Sequence, residues 1–106
     1  MNQKNLFDNI EYHEQEITDL LLTSPHVRIE RILSSGQTSE IYDQDEHEWV
    51  AVLEGEAEIL FVDENERVKL YRGDHLLIPK GRRHQVTYTS NPCLWLCVFW
   101  GECATL

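Results

Sequence analysis

The pattern of apolar and polar positions divides the chain at about residue 26. Before it, apolar residues are sparse. Ile17, Leu20, Leu21 and Leu22 fall at spacings that suit one short amphipathic turn or helix, closed by Ser24 and Pro25. The other reading of residues 1–26 is an irregular N-terminal arm that covers a sheet edge or joins a dimer. From Val27 onward the pattern changes to short runs of near-alternating character. Residues 27–33, 48–54, 56–62, 67–71, 75–78, 83–89 and 94–100 read as strands. Between them lie turn signals such as Ser34-Ser35-Gly36, Arg72-Gly73-Asp74, Pro79-Lys80-Gly81 and Ser90-Asn91-Pro92. Many short strands at this spacing predict an all-β fold, a small antiparallel barrel or sandwich over residues 27–106. Residues 94–100 are apolar on both faces, which suits a strand covered by the core on one side and by a second subunit or the arm on the other.

Length and charge narrow the function classes. At 106 residues the chain has room for one domain and one modest pocket. Nine basic against 19 acidic residues leave a formal net charge of −10. That field repels nucleic-acid phosphates and anionic membranes, so neither is an expected partner. No apolar run is long enough to span a bilayer. The first eight residues show no basic region followed by an apolar core, so no secretory signal is expected and the cytoplasm is the expected location. Three cysteines fit the same compartment. Cys93 and Cys97 lie about 13 Å apart if strand-borne, beyond the reach of a disulfide, and no Cys/His spacing suggests zinc.

Two segments carry the chemistry. One runs from Gly36 to Gly55 and contains Tyr42-Asp43-Gln44-Asp45-Glu46-His47-Glu48-Trp49-Val50. The other is Gly73-Asp74-His75-Leu76-Leu77-Ile78-Pro79-Lys80-Gly81-Arg82-Arg83-His84. Together they resemble the two motifs of the cupin superfamily, most closely the small single-domain bacterial members. Gly73, Asp74, Pro79, Gly81 and His84 stand at that family's spacing, as do Glu48 and Gly55. The resemblance implies a jelly roll (a double-stranded β-helix) and a homodimer. It also implies a site in the barrel mouth, often with a divalent metal held by two His and a Glu of the first motif and a His of the second.

Carried over by position, Glu48 and His84 match the last two ligands. Tyr42 and Gln44 stand where the histidine pair belongs. The implied metal set is therefore Tyr42, Gln44, Glu48 and His84, for zinc, nickel, manganese or iron. The other reading is a metal-free pocket in which Glu48 and His84 bond to each other or to a ligand. A second imidazole from His47 would need a bulge, because neighbours on a strand face opposite ways. Strand parity places Val50 and Val52 inward with Glu48, and Tyr88 beside His84. Trp49 is expected at an interface. Arg82 and Arg83 suit either an anion at the rim or solvated surface charge. A His–carboxylate pair in an apolar mouth is a plausible acid and base for moving a proton beside a carbonyl.

The expected function is therefore a small-molecule pocket centred on Glu48 and His84. As an enzyme it would be an isomerase or dioxygenase of a sugar or small carbonyl compound. The alternative is a non-catalytic ligand-binding or sensing barrel.

Overall fold

A computed structural model describes residues 3–101. Its nine strands are β1 (Ile17–Thr23), β2 (Val27–Ser34), β3 (Ile41–Tyr42), β4 (His47–Glu54), β5 (Glu56–Phe61), β6 (Glu66–Tyr71), β7 (His75–Ile78), β8 (His84–Thr89) and β9 (Cys93–Trp100). They form two sheets, one of five strands in the order β1-β2-β9-β4-β7 and one of four in the order β3-β8-β5-β6. Every pairing is antiparallel. The seven strands expected from the alternation are all present, with ends shifted by at most one residue.

The N-terminal expectation of a turn or helix needs correction. Among the described residues there is no helix, and Ile17–Thr23 is a strand paired along β2. Three consecutive leucines look helical in isolation. The open edge of β2 offers them a ladder of backbone partners, and sheet pairing overrides a weak local preference. The two-residue strand β3 was not expected at all.

Val50, Val52, Ile59, Phe61, Leu70, Ile78, Trp95, Cys97 and Phe99 form the centre of the core between the sheets. That settles the face of β9. Trp95, Cys97 and Phe99 point inward, and Leu94, Leu96, Val98 and Trp100 point to the outer side of the five-stranded sheet. Both Cys93 and Cys97 are buried free thiols. Burial pushes the Cys93 thiol up to about 12 and raises Cys97 as well. The third cysteine, Cys103, lies outside the described residues.

Candidate active site between the sheets

A cavity of about 300 Å³ opens between the two sheets. Sheet parity supplies its wall. Arg28, Glu30, Ile32 and Ser34 line it from β2, Glu48 and Val50 from β4, and Trp95, Cys97 and Phe99 from β9. His84 and Val86 close it from β8 in the opposite sheet. Tyr42, Gln44 and Glu46 complete it from β3 and the segment between β3 and β4.

Glu48 and His84 meet in this cavity. His84 Nε2 lies 3.8 Å from Glu48 Oε1, and both residues are buried, at 3% and 8% exposure. The Nδ1 atom of His84 is 2.9 Å from the Arg82 carbonyl. A carbonyl only accepts, so Nδ1 carries the hydrogen and Nε2 is turned toward Glu48. Gln44 Nε2 donates to Glu48 Oε1 at 3.1 Å. Burial pushes the Glu48 carboxyl above its ordinary range, against the lowering influence of the Gln44 bond and of His84. In the neutral tautomer, the lone pair of His84 Nε2 faces a carboxylate oxygen. At 3.8 Å the two atoms face each other without a hydrogen bond between them.

The remaining site candidates divide. Tyr42 and Gln44 do reach the cavity, and the Tyr42 ring lies 5.4 Å from the His84 ring, centre to centre. Val50 lines the cavity, whereas Val52 is fully buried in the core beyond it. Tyr88 is a correction. It is 46% exposed and lies outside the cavity, with its hydroxyl 3.4 Å from Glu56 Oε1. The cause is a bulge in β8. Glu58 pairs with Tyr88 but Ile59 pairs with Val86, so Thr87 is an extra residue and parity reverses after it.

His47 stays off the cavity, its Nδ1 accepting from the Lys80 backbone N–H at 3.0 Å, while its ring packs 5.5 Å from that of Trp100. Arg82 bonds Glu64 and lies over the Phe61 ring, and Arg83 bonds Asp63. Both arginines are thus held by the protein's own carboxylates.

Two groups of lining residues escaped sequence reading, one around Arg28 and one around Ser34. Arg28 Nη2 donates to Glu46 Oε1 at 2.7 Å and its Nε to Glu30 Oε2 at 3.0 Å. A relay runs from buried Trp95 Nε1 to buried Ser34 Oγ at 3.1 Å, and from Ser34 Oγ out to Oε2 of exposed Glu16 at 2.8 Å. The available signal was the alternation of β2 itself, which puts Arg28, Glu30 and Ser34 on one face with Ile32.

The donor set does not fit a tight divalent-metal site. Among the described residues no group of three or more His, Cys, Asp or Glu could hold an ion. Glu48 and His84 supply two strong donors, one short of the usual minimum of protein ligands. Burial raises the Tyr42 phenol, which keeps it protonated and a poor ligand. Gln44, its N–H held by Glu48, has only a neutral amide oxygen to offer, a weaker donor than an imidazole.

The cupin domain family profile matches residues 29–99. The chain is a cupin. A structure from Ralstonia eutropha JMP134, provisionally described as a mannose-6-phosphate isomerase, is 33% identical, with a TM-score of 0.89 over 96% of this chain and 100% of that one. A cupin superfamily protein from Desulfitobacterium hafniense DCB-2 has 22% identity and a TM-score of 0.79, over 88% and 84% of the two chains. KdgF from Halomonas sp. has 14% identity and a TM-score of 0.74, over 89% and 87%. At those identities the last two show the shared fold alone. Among curated proteins, none matches this sequence. No helix of the described residues is long and apolar enough to cross a membrane.

Proposed function

We propose that this cupin is a small-molecule isomerase that moves a proton beside a carbonyl, with Glu48 and His84 as paired acid and base. The observation that carries the reading is the buried pair itself, 3.8 Å apart at a cavity wall, with a carboxyl whose proton affinity is raised. His84 Nε2 takes the proton from the carbon beside the substrate carbonyl. Protonated Glu48 gives its proton to the carbonyl oxygen, which leaves an enediol. The imidazolium then returns a proton to the former carbonyl carbon, and Glu48 recovers one from the neighbouring hydroxyl. Protons and electron pairs balance, and no metal enters a step. The similar protein described as a mannose-6-phosphate isomerase supports this reaction class. Dioxygenase chemistry loses ground because the second imidazole it wants is absent from the cavity.

A non-catalytic binding barrel remains the second reading, favoured by Tyr42 and Gln44 at the positions where the family carries histidines. The test incubates the protein with aldoses and ketoses in deuterated water. Isomer formation with deuterium beside the carbonyl, lost in His84→Ala and Glu48→Gln, supports the enzyme. Activity unchanged in both variants removes it. A rise in Tm with ligand but no turnover supports the binding barrel.

The outer face of the five-stranded sheet carries Trp49, Leu53, Leu77, Leu96, Val98 and Trp100, with Leu77 half exposed. We also propose that a second copy of the chain covers it. The reason is that a central strand apolar on both faces needs cover on both.

A further inference from the structure

We infer that the cavity takes a small hydroxylated amine in its protonated form and rejects phosphorylated ligands. The inference rests on the reading above that this cavity is the binding site. It runs against the phosphosugar that the similarity to a protein described as a mannose-6-phosphate isomerase would suggest.

Four carboxyl groups line the cavity, those of Glu16, Glu30, Glu46 and Glu48, of which Glu48 is the one whose proton affinity burial raises. Among the described residues, Arg28 is the sole lysine or arginine in the wall. Its guanidinium is already committed. Nη1 and Nη2 bond the two oxygens of Glu46 at 3.2 and 2.7 Å, Nε bonds Glu30 at 3.0 Å, and its plane lies 4.2 Å over the Phe99 ring. A phosphate group is held most strongly by free forked donors, a lysine or a helix N-terminus. Arg28 would have to leave Glu46 to supply the first, and the described residues contain no helix to supply the last. The incoming dianion would also meet the field of the carboxylates.

The acidic wall is built into the fold. Glu16 is fixed by the Ser34 hydroxyl, which in turn receives the Trp95 indole N–H, and Ser34 and Trp95 are 1% and 5% exposed. The charges act where ligand would sit, because Glu30 helps to raise Glu48, and Glu16 helps to raise Tyr42. His84, at 3% exposure, also turns Nε2 into the cavity, with Glu48 the nearest charged partner and beyond hydrogen-bond reach. A ligand bringing an ammonium group and hydroxyls gains the carboxylate field and satisfies this nitrogen.

The test is calorimetric titration of the full chain at matched ionic strength. The probes are glucosamine at a pH where its amine is protonated, mannose, mannose 6-phosphate and inorganic phosphate. Glucosamine should bind about tenfold more tightly than mannose, with the difference shrinking in added salt. Mannose 6-phosphate and phosphate should bind more weakly than mannose. Glu30→Gln should weaken glucosamine about fivefold or more. Glu46→Gln should release Arg28 and let mannose 6-phosphate bind, a gain that misfolding cannot imitate. Tighter wild-type binding of mannose 6-phosphate than of mannose overturns the inference. So does glucosamine binding that is absent or no tighter than that of mannose. The His84→Ala variant keeps the two proposals separate. Unaffected turnover in it sinks the isomerase reading, whereas the order of affinities alone decides the ligand class.

Discussion

His84 Nε2 and Glu48 Oε1 face each other across 3.8 Å from strands of opposite sheets. The relationship has a pH signature. Folding raises the Glu48 carboxyl, chiefly by burial. Below the ordinary carboxylate pKa the group is protonated both folded and unfolded, and it contributes nothing. As pH rises from that value through the raised folded one, the unfolded chain ionises first and stability falls. Above the folded value the penalty is complete. Glu48→Gln removes this titration, so its Tm should gain on the wild type as pH climbs through that window. Each kcal/mol gained should appear as roughly 4–8 °C. A Tm difference independent of pH would contradict this account.

The bulge at Thr87 predicts unequal costs on the two sides of β8. Tyr88→Ala should change stability by less than about 0.5 kcal/mol, because the side chain is exposed. Ile59→Ala, at the paired inward position beside Val86, should cost about 2–5 kcal/mol. Urea denaturation of both variants checks the register. Similar losses would return Tyr88 to the cavity.

The turn between β4 and β5 needs its glycine for two reasons. Gly55 has φ +85°, and a Cβ there would strike Ser90 Oγ and the Pro92 carbonyl. Gly73 has φ +89° but open space around it. Gly73→Ala should therefore cost only the backbone strain, about 1 kcal/mol, and Gly55→Ala about 3 kcal/mol or more. Thermal denaturation should rank them in that order.

Arg31 ties the N-terminal arm to the sheet. Its Nη1 donates to the carbonyls of Leu6 and Asp8 at 2.9 and 2.7 Å, and its Nη2 to Asp19 at 2.7 Å. The side chain is 9% exposed, while Asp19 is 45% exposed and easily resolvated. Arg31→Ala should cost about 2 kcal/mol and speed proteolytic removal of residues 3–10. Cleavage at the wild-type rate would show that other contacts hold the arm.

The outer face of the five-stranded sheet predicts a particle of two chains by light scattering. Leu96→Glu, at the middle of β9 on that face, should halve the mass while far-ultraviolet circular dichroism stays unchanged. A wild-type mass of one chain would remove the dimer.

The strands were legible because alternation at period two survives wherever one face is buried, as in Glu56, Ala57, Glu58 and Ile59. The positions of Glu48 and His84 were legible because turn residues such as Gly73, Pro79 and Gly81 hold a recognisable spacing. Leu20, Leu21 and Leu22 misled because β1 has no core of its own and takes its state from the edge of β2. Tyr88 misled because a single inserted residue reverses parity without marking the sequence.

By itself, the sequence determined an all-β chain, and two segments with a recognisable spacing of turn residues carry a carboxyl and an imidazole in the positions that the resemblance to cupins singles out. Those properties depend on local periodicity and spacing. Only the tertiary structure decided that Glu48 and His84 approach within 3.8 Å, that Arg28 is bound to Glu46 and Glu30, and that Glu16 is fixed by Ser34 and Trp95. Apart from Arg28 and Glu30, which are neighbours on one face of β2, those contacts join residues distant in the chain that folding brings together, where the protonation and charge of a group depend on what is placed beside it.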